Sequence, residues 1–126
     1  PFKAGIKNGA DTVLVAHVVI KSVDPQLPAS LSPKIHALLR KKLGFKGVIV
    51  TDDLAMGAIR QFAENQHVCP EVLAVKAGND LIMSENVDSG TAAIEQAIKD
   101  KQISQKQINQ SVLRILKLKE KLGLLK

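Results

Sequence analysis

Tyrosine and tryptophan are absent from these 126 residues, and phenylalanine occurs three times. Any core the chain builds is therefore aliphatic, packed from Val, Ile, Leu and Ala. The same shortage removes the aromatic platforms on which single-stranded nucleic acids stack. The single cysteine, Cys69, excludes an internal disulfide and a multi-cysteine zinc site. As a nucleophile Cys69 would need an activating base. His67 lies two residues earlier, in what reads as a loop, and the thiol is taken as an incidental, half-buried one. No apolar run reaches membrane length and no secretory signal pattern is present. The chain opens at Pro1 rather than at a methionine, so its natural start is expected upstream, and both a cytoplasmic and a secreted location stay open. No metal-ligating cluster and no phosphate-binding glycine loop occurs, so no cofactor is implied.

What is present is an ordinary apolar fraction, 45%, and a formal net charge of +6. That balance invites a nucleic-acid partner, but the lysines argue against one. Many fall at positions 34–46 and 99–126, on stretches that read as amphipathic helices with solvated faces. The length suits one domain with a real core, and no repeat, low-complexity tract or linker divides residues 1–126.

Three apolar stretches read as strands: residues 12–20, 48–50 and 81–83, the last two as short buried ones. Helices are expected between and after them. Residues 1–8 look like the last turns of a helix closed by Gly9. Ser32 with Pro33 starts a second helix that Gly44 ends. Others are expected over residues 54–62, 71–77, 90–101 and from Ser104, whose pairing with Gln107 forms a capping-box pattern. Residues 63–67 are expected to be irregular. Strand–helix alternation of this kind implies an α/β fold with a parallel sheet and right-handed crossovers.

The middle strand ends in two carboxylates, Asp52 and Asp53, after which helix formers take over. Acidic groups at the carboxyl end of a parallel strand stand where α/β proteins place their chemistry. From the residues alone, Asp52 is equally a catalytic carboxylate or a cap on the following helix. Asp53 is expected to begin that helix and cap it, meeting free amides and the positive dipole end. If both acids faced one pocket, their repulsion would raise one pKa. His17 interrupts the first apolar strand near its carboxyl end, as a core residue or a pocket residue. Met56, on the next helix, is core filler or pocket lining.

Residues 44–56, Gly-Phe-Lys-Gly-Val-Ile-Val-Thr-Asp-Asp-Leu-Ala-Met, resemble the nucleophile segment of glycoside hydrolase family 3. The Asp-Asp form is similar to the β-N-acetylhexosaminidase branch; many β-glucosidases of the family have Ser-Asp-Trp there. Three further pieces match in order: residues 9–18 (Gly-Ala-Asp-Thr-Val-Leu-Val-Ala-His-Val), 28–32 (Pro-Ala-Ser-Leu-Ser) and 77–83 (Ala-Gly-Asn-Asp-Leu-Ile-Met). The resemblance implies that the chain holds the last three strands and closing helices of a (β/α)8, TIM-type barrel, as a fragment that begins inside a helix. It implies retaining exo-hydrolysis of β-N-acetylglucosaminides from cell wall or chitin, through a covalent glycosyl-Asp intermediate. Asp52 matches the nucleophile, and His17 and Met56 match residues lining the sugar pocket. Ser84, Glu85 and Asn86 would share that barrel face by position. The branch's acid/base, an Asp-His dyad, and its Lys-His sugar-binding motif lie upstream of the matched pieces, and neither occurs here.

The alternatives are a β-glucosidase-type member, a non-catalytic α/β assembly module, and a receiver-like domain. The receiver needs a phosphoacceptor at the end of a later strand, yet residues 81–83 are followed by Ser84, and Asp80 stands at the opposite end. Three strands cannot close a barrel. The isolated chain is therefore expected to be inactive and to cover its sheet edges with the missing barrel portion or by self-association.

Overall fold

The structure, a computed structural model, describes residues 1–125. In chain order the elements are α1 (Phe2–Lys7), β1 (Thr12–Val15), α2 (Pro33–Ala37), β2 (Val48–Asp53), α3 (Gly57–Gln66), α4 (Pro70–Ala77), β3 (Leu81–Met83), α5 (Val87–Lys99) and α6 (Gln105–Lys121). A 3-10 turn, Ala29–Leu31, precedes α2, and a π-helical turn, Leu38–Lys42, continues it. The strands form one parallel sheet in the order β1-β2-β3. Sequential parallel order of this kind is the winding of a (β/α)8 barrel, and equally that of one half of a doubly wound sheet.

Local chemistry accounts for most element ends. α1 closes with Gly9 at φ 87, its amide on Ile6 O and the Ala10 amide on Gly5 O. The Ser32 hydroxyl accepts from the Ile35 amide with Pro33 at the first helical position. Ser104 caps α6 by accepting from the Gln107 amide. The Gln107 side chain does not complete the capping box; its amide nitrogen donates to Val75 O of α4 instead.

Four expectations need correction. β1 stops at Val15, not Ile20, because the chain folds back and residues 29–30 take its next carbonyls: Ser30 N donates to Ala16 O and Ala29 N to Val18 O. β2 runs on to Asp53, since pairing with β3 carries it through both acids. α3 starts at Gly57 and absorbs residues 63–66, ending at His67 in the left-handed region. β3 is not fully buried; Leu81 and Met83 stand 41% and 46% exposed.

That exposure follows from which face the helices cover. Val13, Val15 and Ile49 pack with Ile35, Leu39 and Phe45; Leu31, Leu54, Ile59 and Ala74 form a second cluster, and Val75, Ala97 and Ile103 a third. Alternate residues on the other sheet face, Leu14 and Leu81, are left bare. α6 crosses the amino edge. There Ser111 and Arg114 bond Asp80, and Lys121 bonds Asp11. Asp80, with a fully buried side chain, also accepts from Arg40 and the Ile49 amide. Nearby, Gly47 must be glycine. A Cβ there would collide with Asp11 O, the carbonyl that accepts the Val48 amide at the start of β2.

Candidate active site

The carboxyl edge of the sheet gathers the candidate residues. β1 and β2 pair without slippage from Thr12↔Val48 to Val15↔Thr51. Asp52 therefore follows the last residue of β2 that pairs with β1, and His17 lies two residues past the end of β1, at the same edge. β2 and β3 pair at Val50↔Leu81 and Asp53↔Met83, with a bulge between. The bulge holds Thr51 and Asp52. The buried Thr51 hydroxyl takes over a ladder bond there, accepting from the Met83 amide at 3.0 Å. Bulges beside active sites re-aim a side chain, and this one sits at the acid in question.

Asp52 is half-buried, and its Oδ1 accepts from the Asp53 amide at 2.9 Å. Its Oδ2 has no hydrogen-bond partner among the described residues. Asp53 does not cap α3. Its Oδ1 accepts from the Ala55 amide at 2.9 Å and so shapes the turn between β2 and α3, where Met56 occupies the cap position without a side-chain bond. An acid followed by helix formers gives the same sequence pattern in either geometry; the pairing of Asp53 with Met83 decides it.

His17 is held at both nitrogens. Nδ1 lies 2.7 Å from Ser30 Oγ and Nε2 2.8 Å from the Asp53 carbonyl. Met56 is 47% exposed at the same edge, its amide donating to Asp53 O. Ser84 follows β3; its hydroxyl donates to Glu71 Oε1 and accepts from the Asn86 amide. Glu71, buried in the first turn of α4, takes the Cys69 thiol on its other oxygen. Burial and the neighbouring carboxylate push the Cys69 thiol above its ordinary pKa, which suits an unreactive thiol. A cleft of about 400 Å³ lies behind this edge, between the β2–α3 turn and α4, and includes Ala55, Arg60, Glu71 and Asn86. Ser30 and Glu71 are the two residues that reading the sequence alone did not single out. Ser30 lay inside a recognised segment, but only the fold brings it to His17.

Comparison with known proteins bears on the family and the fold. A family model described as the glycosyl hydrolase family 3 N-terminal domain matches residues 1–118. An uncharacterized secreted glycosyl hydrolase of Arthroderma benhamiae is 34% identical over 98% of this chain and 36% of its own length. A beta-hexosaminidase of Psychromonas ingrahamii is 40% identical over 83% of this chain and 31% of its own. The chain thus spans about a third of the length of these curated relatives. A family 3 β-N-acetylglucosaminidase from Paenibacillus superposes with a TM-score of 0.85, at 38% identity, over 98% of this chain and 24% of that one. The β-glucoside phosphorylase BglX superposes at 0.82 with 26% identity, over 98% and 24%. The three parallel βα units are accordingly those of a TIM-type barrel, its last three strands and closing helices. A half-buried acid on a bulged strand end, in a chain matched from residue 1 to 118, leads to one conclusion: the chain belongs to glycosyl hydrolase family 3 and falls within that family's N-terminal domain.

Proposed function

We propose that this chain supplies the nucleophile side of the catalytic centre of a retaining β-N-acetylhexosaminidase. The observation that carries the reading is Asp52 on the central strand, at the carboxyl edge, with one oxygen fixed by the Asp53 amide and the other free. In the first step Oδ2 attacks the anomeric carbon as the bond to the aglycone oxygen breaks, and that oxygen takes a proton from the acid. Water, giving a proton to the same group now acting as base, then cleaves the glycosyl ester and restores the carboxylate. The Asp53 amide orients the anion in both steps. His17 and Met56 line the sugar pocket at the same edge, where both ring nitrogens of His17 are engaged by protein groups. The substrate is a β-N-acetylglucosaminide of cell-wall or chitin origin. The acid, an Asp-His dyad, belongs to a segment preceding these residues.

In the complete protein, Asp52→Ala should abolish turnover of an aryl N-acetylglucosaminide without loss of fold, and an activated fluorosugar should label Asp52 covalently. Turnover by Asp52→Ala near the wild-type rate would refute the reading. The likeness to a β-glucoside phosphorylase favours a second reading, action on β-glucosides. Assays with aryl glucoside, with and without inorganic phosphate, separate the two.

We further propose that residues 1–126 are part of one barrel whose remainder covers the bare sheet face. Parallel sheets are buried on both faces. Here Leu14, Leu81 and Met83 are exposed, and an apolar groove of about 410 Å³ runs along the β1 edge past Val15, Val18, Leu38 and Leu39. The isolated chain should therefore self-associate in sedimentation and lack glycosidase activity. A compact monomer, or turnover abolished by Asp52→Ala, would contradict this.

A further inference from the structure

We propose that His17 is a positioning residue for Asp52: its imidazole, held by Ser30 as the Nε2–H tautomer, clamps the backbone corner that carries the carboxylate. The proposal deepens the nucleophile reading and rests on it.

The hydrogen positions follow from the partners. Nε2 lies 2.8 Å from the Asp53 carbonyl, which can only accept, so Nε2 carries the hydrogen. Nδ1 of the neutral ring is then an acceptor, and the Ser30 hydroxyl at 2.7 Å donates to it. Ser30 is fully buried and pinned from two sides. Its amide donates to Ala16 O, and its carbonyl accepts from Asn79 Nδ2 at 2.8 Å. A fixed hydroxyl thus fixes the ring, and the ring fixes the Asp53 carbonyl. The amide of the same residue holds Asp52 Oδ1 at 2.9 Å.

The clamp falls where the sheet is least able to supply one. Between Val50 and Asp53 the β2–β3 register shifts, and β1 ends opposite Thr51. The regular ladders do not dictate the backbone at Asp52; the imidazole constrains it from the β1 side, sharing the Asp53 carbonyl with the Met56 amide. Both ring nitrogens are engaged, leaving no donor or acceptor for a sugar hydroxyl. Loss of His17 should therefore misplace the nucleophile and slow the chemical step, without weakening ground-state binding.

The test measures kcat and KM in the complete protein, on whichever aryl N-acetylglucosaminide or glucoside it turns over. His17→Ala should lower kcat about 100-fold with KM unchanged, the loss expected for a misplacement of about 1 Å. His17→Gln, whose amide nitrogen reaches the Nε2 position, should restore most of kcat. Ser30→Ala, with no reach to substrate, should lower kcat in the same direction. Should His17→Ala not fold, the other two variants decide the matter. A KM rise with kcat unchanged in the His17 variants, or wild-type kcat in Ser30→Ala, overturns the proposal. Independently of activity, ring ¹⁵N shifts of His17 should report the Nε2–H tautomer; the Nδ1–H tautomer overturns it too. Turnover by Asp52→Ala sinks the nucleophile reading and the clamp together. An inactive Asp52→Ala beside a fully active His17→Ala sinks the clamp alone.

Discussion

Replacing Asp80 by alanine should destabilise the protein by about 3–5 kcal/mol, the range for breaking a buried ion pair from one side. The Asp80 side chain is fully buried and serves four donors: Arg40, Arg114, the Ser111 hydroxyl and the Ile49 amide. The two guanidiniums are not equally dependent on it. Arg40 keeps bonds to the carbonyls of Phe45 and Gly47 and lies over the Phe45 ring, whereas Asp80 is the only acceptor found for Arg114 among the described residues. Alanine thus strands one cation and one backbone amide, and it releases α6 from the sheet edge. Arg114→Ala should cost less, because Asp80 retains Arg40, Ser111 and Ile49 N. The exposed pair Lys121–Asp11, at 60% and 42% side-chain exposure, provides a control that should cost only about 0–1 kcal/mol. Urea unfolding of the complete protein reads the shifts in midpoint, and amide exchange at Ile49 reads the local opening. An Asp80→Ala cost below about 1 kcal/mol, equal to that of Asp11→Ala, would refute the reasoning, since the pair would then behave as a solvated one.

Two further outcomes are expected. Asp53→Ala should cost on the order of 1 kcal/mol, through its lost bond to the Ala55 amide, while keeping most of the turnover. Activity as low as in Asp52→Ala, with unchanged stability, would mean the two roles are reversed. Asp24 should contribute to acid sensitivity. The Ser32 hydroxyl at 2.6 Å, and then the Gln26 and Leu27 amides and Lys34, hold its carboxyl below the ordinary 3.8 against the opposing effect of burial. A depressed folded pKa gives stability that is fully present above about 3.8 and is lost as pH falls through the folded value. The stability gap between wild type and Asp24→Asn should accordingly be constant from neutral pH to about 4 and shrink below it; a gap that persists unchanged to pH 2 would rule Asp24 out.

Much of this protein was legible as sequence because the controlling interactions are local. Pro33 after Ser32, Gly9 after the first helix and Ser104 before the last each act within a few residues, and each stands where expected. The β-branched runs and their alternation with helices were enough for a parallel sheet, and the acid pair marked its carboxyl edge. Tertiary contacts decided the rest. Residues 16–20 continue the apolar run past His17, but the carbonyls of Ala16 and Val18 are taken by the amides of Ser30 and Ala29, and no local pattern announces that return. Asp53 became strand and turn, not helix cap, because its register partner is Met83, thirty residues away. Gln107 left its capping box for a carbonyl of α4. His17 could be read as a pocket residue from its place in the chain. Its partners, Ser30 and the Asp53 carbonyl, come from segments 13 and 36 residues off, and only folding makes them neighbours. Short-range hydrogen bonds and steric preferences operate on the chain in any conformation, so sequence alone suffices to place them. The competition for each backbone carbonyl and each imidazole nitrogen is settled only when distant segments arrive.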